Sequence, residues 1–85
     1  MNDDELIAAG DDAEVLLNNN VFNRTINSLV ESTFSSFTAT KPDQAAERET
    51  AYAFYRALVD IVHTLQQRVN VRDEIIVSRN NSEGE

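Results

Sequence analysis

Between Val21 and Phe37 the apolar residues fall at Phe22, Ile26, Leu29, Val30, Phe34 and Phe37. Steps of four, three, one, four and three put all six on one face of a helix. Asn23, Asn27, Glu31 and Ser35 mark the opposite face, so the stretch is an amphipathic helix. Asn18-Asn19-Asn20 precede it; asparagine competes with helical backbone bonds, and Asn20 or Asn19 can cap the helix. Further upstream, Asp11-Asp12 can cap one or two turns over Ala13-Glu14-Val15-Leu16-Leu17. Downstream, Thr38 to Asp43 is a turn, because Pro42 disfavours helix at Lys41 and suits the first turn of a new one. Thr40 and Asp43 are alternative caps. From Asp43 the chain carries helix formers and no proline or further glycine before Gly84, so the second long helix runs to about Val77.

That second helix carries a wide apolar face. Ala51, Phe54, Leu58, Ile61 and Leu65 form one line at helical spacing, and Tyr52, Tyr55, Val59, Val62 and Val69 a neighbouring one. The polar stripe is narrowed to Glu49, Arg56, Asp60, His63 and Gln67. Lengths sharpen the difficulty: about 18 residues span roughly 27 Å, against about 35 residues and roughly 52 Å for the second helix. Folded back, the first helix covers its companion only to about Val62. Leu65, Val69, Val71, Ile75, Ile76 and Val77 then need another cover, part of which the 13–17 segment can reach. The expected fold is therefore all-α, an antiparallel helical hairpin with a short preceding helix, and oligomeric. Phe34, Phe37 and Phe54 are expected in its core. Tyr52, Tyr55, Val59, Val62, Val69 and Ile76 are expected at an interface.

Charge adds a boundary. The 85 residues hold 15 acids and 7 bases, a formal −8. Residues 1–20 contain Asp3, Asp4, Glu5, Asp11, Asp12 and Glu14 and no base, so most of the excess belongs to the N-terminal stretch. The expected division is an acidic mobile arm over residues 1–12, a helical domain over 13–77 and a disordered tail over 78–85. Seven scattered bases make no stripe for phosphates, which argues against nucleic acid as a partner. The acidic start lacks the pattern of a secretory signal. The most apolar window, Ala51 to Val62, is too short to span a membrane and carries Arg56 and Asp60. A soluble protein, not exported, is expected.

Candidate chemistry is sparse. There is no cysteine, hence no disulfide, thiol nucleophile or thiolate metal site. His63, the one histidine, is a candidate general base, but it falls on the polar stripe without a partnered nucleophile. Asp3-Asp4-Glu5 and Asp11-Asp12 lack the spacing and turn glycine of a calcium loop. No glycine-rich phosphate loop occurs. Arg48, Arg56, Arg68 and Arg72 lie along the second helix, where they can pair with acids or stand solvated, the second being favoured. Arg56 and Asp60 are spaced as an i,i+4 pair. No catalytic residue, cofactor site, metal site or small-molecule ligand is expected, and the protein is read as no enzyme.

Several runs carry a resemblance: Ala13-Glu14-Val15-Leu16-Leu17-Asn18-Asn19, Phe22-Asn23 opening a helix, Glu47-Arg48-Glu49-Thr50-Ala51-Tyr52, and Leu58-Val59-Asp60-Ile61. Together they resemble a family of small tailed-bacteriophage proteins encoded among head and packaging genes. The family often has Asn-Pro before the phenylalanine, where this chain has Asn20-Val21. The resemblance implies a phage context, a structural or assembly role, and a location in the virion or host cytoplasm. The implied partners are a second copy of the chain or phage head or portal proteins. The alternative reading, prompted by the charge, is a small acidic inhibitor occupying a basic groove on a host enzyme.

Overall fold

The computed structural model describes residues 1–83, whose regular structure is entirely helical: α1 (Asp3–Leu17), α2 (Asn20–Thr38) and α3 (Ala45–Glu83). The all-α class is as the sequence predicts.

α1 begins well before the expected Ala13. Asn2 caps it, its side chain accepting from the Glu5 N–H at 2.8 Å, and Asp3, Asp4 and Glu5 sit at the positive end of the helix dipole. Residues 3–12, expected as a mobile arm, are thus helix. Leu6, Gly10, Ala13 and Leu17 follow in steps of four, three and four, and this line is turned away from solvent. Asp11 and Asp12 lie inside the helix and cap nothing.

The chain breaks at Asn18 and Asn19. Asn19 is the cap of α2, accepting from the Phe22 N–H at 2.8 Å. Asn23 Nδ2 reaches back to donate to the Leu17 carbonyl at 2.9 Å, satisfying an end group that α1 leaves open. The break changes the helical phase. Had α1 continued, the line through Leu17 would have brought Asn20, Arg24, Asn27 and Glu31 to the packed side. Restarting at Asn20 brings Phe22, Asn23, Ile26, Val30 and Thr33 there instead.

Residues 39–44 form the turn around Pro42. The Lys41 N–H donates to Gln44 Oε1 at 2.8 Å, and the Arg48 guanidinium donates to the Lys41 and Pro42 carbonyls. α3 starts at Ala45 and continues to Glu83, beyond the expected Val77. Residues 78–83, expected in a disordered tail, belong to this helix; residues 84 and 85 lie outside the described part.

α1 and α2 both pack along α3. Asp4 meets Arg79 and Glu14 meets Arg72, so partner numbers fall along α3 as they rise along α1 and the two helices run in opposite directions. The packed line of α3 is Arg48, Ala51, Tyr55, Leu58, Val62, Leu65, Val69 and Arg72. Its steps alternate strictly between three and four, the seam of a coiled coil. It runs between the two apolar lines expected from the sequence, taking members of each.

This seam corrects two expectations. α1 covers Leu65, Val69 and Ile75 in the distal half of α3, so the length mismatch is met there within the chain, while Val71, Ile76 and Val77, expected to need the same cover, stay exposed. Phe34, Phe37 and Phe54, expected in the core, are exposed instead, Phe34 by 62% and Phe54 by 52%. Small residues hold the seam at their level: Thr33 and Ala51 border the grooves on both sides of the α2–α3 contact. Bulky rings beside them are displaced to the flanks.

The result is a rod of 64 × 24 × 17 Å. Its radius of gyration is 18.2 Å, where a compact chain of this length has about 12 Å. The accessible surface is 6288 Å², against about 5,000 Å² for a compact protein of this mass. Ala13 and Leu58 are the buried apolar residues among those described.

Candidate interaction surface

The seam positions order everything around it. On one flank, Phe34 of α2 faces Tyr52 of α3, and with Val30, Phe37, Ala51 and Tyr55 they line an open groove of about 490 Å³. Glu31 is its one charged neighbour. The opposite flank carries Leu29, Phe54 and Ile61, the last exposed by 48%. The groove there is lined with Ser32, Ser36, Glu47 and Thr50 beside Phe54. Both flanks of the α2–α3 half thus present large apolar groups to solvent. The first flank is the drier.

The expected interface residues divide. Tyr52 is 56% exposed and Tyr55 half-buried, and both line the aromatic groove. Val59 is half-buried one turn beyond Tyr55 on the same flank; Val62 and Val69 are half-buried on the seam, turned towards the chain's own helices. Ile76 is exposed near the far end of α3, away from the groove. Phe34 and Phe37 complete the groove and were missed, because large apolar size pointed to the core. The readable signal was Thr33 and Ala51, two small residues at seam spacing.

The distal half holds the charged contacts between α1 and α3, beside exposed Val15, Val71, Ile76 and Val77. Arg72 is nearly buried and forms the centre of a cluster: its guanidinium donates to Asp11 at 2.9 Å and Glu14 at 2.7 Å across the helix contact, and to Asp73 at 3.0 Å beside it. The Arg72 hydrogen bond, then its charge, holds the Glu14 carboxyl below the usual range. The hydrogen bonds that Arg72 donates to Glu14, Asp11 and Asp73 raise its already high pKa. Arg79 pairs with Asp4 at 3.2 Å and, more loosely, with Asp3 at 4.0 Å. Arg72, favoured as solvated from the sequence, is instead the bolt between α1 and α3. A charged group in a line of apolar ones gives little away before its partners are known.

Other candidates stay apart. Glu49, Arg56, Asp60, His63 and Gln67 are exposed, as the polar stripe predicts, and Arg56 pairs with Asp60 at 3.5 Å. Among the described residues no three His, Cys, Asp or Glu side chains gather to hold a metal. No described helix is long and apolar enough to cross a membrane. No family model, curated protein or solved structure matches the chain.

Proposed function

We propose that this chain is a non-enzymatic structural or assembly protein of a bacteriophage, a helical hairpin that works by associating with other helices. The observation carrying this reading is the apolar surface on both flanks of the α2–α3 half, where Phe34, Tyr52, Phe54 and Ile61 stand open to solvent. Large apolar side chains grouped in the open on each flank of a short chain mark places where another protein sits. The partner is a second copy, a phage head or portal protein, or both, one on each flank. The phage context rests on the resemblance of the runs from Ala13 to Ile61.

The acidic-inhibitor reading is supported less well. Its acids now lie along a helix, which suits a mimic of nucleic acid, but Asp3, Asp4, Asp11 and Glu14 are engaged by Arg79 and Arg72 of the same chain. Of the six α1 acids, Glu5 and Asp12 are left to meet a basic groove, and both are exposed.

Mass spectrometry of purified phage particles and of their assembly intermediates tests the proposal. The chain is expected at a fixed copy number relative to the head proteins. Absence from both preparations would contradict it.

A further inference from the structure

We infer that the occupant of the aromatic groove is a second copy of this chain, stacked head to head over the α2–α3 halves with the two acidic ends pointing away from each other. This rests on the proposed reading that the protein works by helix association, and it deepens that reading by naming the partner, the face and the direction.

Area is the first support. The chain exposes 6288 Å², about 1,200 Å² more than a compact protein of its mass. A standard stable interface takes about 800 Å² from each partner. The surplus is enough for one such interface.

Charge distribution is the second. Residues 20–62 hold four bases and five acids, a net of −1, whereas the rest of the chain holds three bases and ten acids, a net of −7. The aromatic groove lies wholly within the nearly neutral half. Two copies can therefore meet there with little net repulsion, Glu31 being the one charged residue at the groove. Stacked in the same direction, they would set two ends of charge −7 side by side, one rod width of 17 Å apart, where a Debye length of about 8 Å screens their repulsion only in part. Stacked in opposite directions, those ends lie much farther apart.

Shape is the third. A two-fold contact needs one patch that fits itself. This flank has both halves of the fit: Phe34 and Tyr52 protrude by 62% and 56%, and the groove beside them has an almost wholly apolar lining. The opposite flank, bordered by Ser32, Ser36, Glu47 and Thr50, is a poorer host for a ring. Turned about a two-fold axis, each copy lays Phe34 and Tyr52 into the other's groove. Four helices then surround one aromatic core.

The test is light scattering and small-angle X-ray scattering on the full chain at tens of micromolar. Expected are twice the 9.5 kDa chain mass and a longest dimension of about 100 Å, from two 64 Å rods overlapping by about 28 Å along α2. Phe34→Glu, at an exposed position, is expected to halve the mass and leave the helical circular dichroism intact; Ile61→Glu on the other flank is expected to leave the doubled mass unchanged. A single-chain mass at 100 μM would overturn the inference. So would a dimer no longer than one rod, or a dimer that survives Phe34→Glu but is lost with Ile61→Glu. A monomer that is nevertheless found at fixed copy number in phage particles would overturn the inference alone and leave the assembly role standing.

Discussion

Gly10 of α1 lies directly against Arg72 of α3. A Cβ built on Gly10 would overlap the Arg72 Cβ and come within 2.8 Å of the Arg68 carbonyl oxygen. The glycine has no left-handed backbone to serve; it is there so that two helices can approach closely. That approach lets the Arg72 guanidinium reach both Asp11 and Glu14 across the contact.

Gly10→Ala therefore separates two effects of opposite sign. On helix propensity alone, glycine to alanine inside a helix gains about 1 kcal/mol. Overpacking against a backbone oxygen, which cannot swing aside, costs about 1–3 kcal/mol. A net loss is expected, lowering Tm by roughly 4–8 °C per kcal/mol for a chain of this size. Thermal melts followed by circular dichroism read it directly. A stabilised variant would mean that α1 stands off α3.

The break at Asn18-Asn19 is expected to matter more than its composition suggests. Asn19→Ala removes the α2 cap and should cost about 1 kcal/mol. Replacing both asparagines by alanine raises local helix propensity but invites the continuous phase, which sets Arg24, Asn27 and Glu31 against the α3 seam. Tm should fall further while helicity holds or rises. A rise in Tm would contradict the account of the break.

Much of this fold was legible. The presence of α2 with Phe22, Ile26 and Val30 on its packed side, a cap at one of Asn19 and Asn20, the turn at Pro42 and the Arg56–Asp60 pair follow from local periodicity, capping and spacing, which need no tertiary knowledge. α1 was hidden for a physical reason: its packed line is Leu6, Gly10, Ala13 and Leu17, half of it small, and six acids surround it. A weak apolar signal under strong charge reads as a solvated arm until Arg72 and Arg79 are known to answer it. The aromatic groove was half legible. Tyr52 and Tyr55 stood out, but Phe34 and Phe37 were drawn to the core by their size, since only the closeness of Thr33 and Ala51 expels them.

Acid should loosen the α1 contact first. Glu14 is held below its ordinary pKa of 4.5 by Arg72, so its folded value lies under its unfolded one. Such a group contributes stability that is complete above about pH 4.5 and is lost as pH falls towards the folded value. Arg72 stays charged throughout. Comparing Tm for the native chain and Glu14→Gln from pH 7 to pH 3 cancels the other carboxylates. The native chain is expected to melt higher at pH 7, with the gap closing below pH 4.5. A gap that does not change with pH would show that the pair adds nothing.

The most direct measurement of the partner requirement is the concentration dependence of Tm, since a chain that folds together with a second copy gains stability by mass action while a self-sufficient one does not. Melts of the native chain from 1 to 200 μM are expected to move steadily upward, and those of Phe34→Glu to stay in place. A native Tm that is the same at every concentration would contradict the claim that the Phe34–Tyr52 flank exists to be covered by another copy.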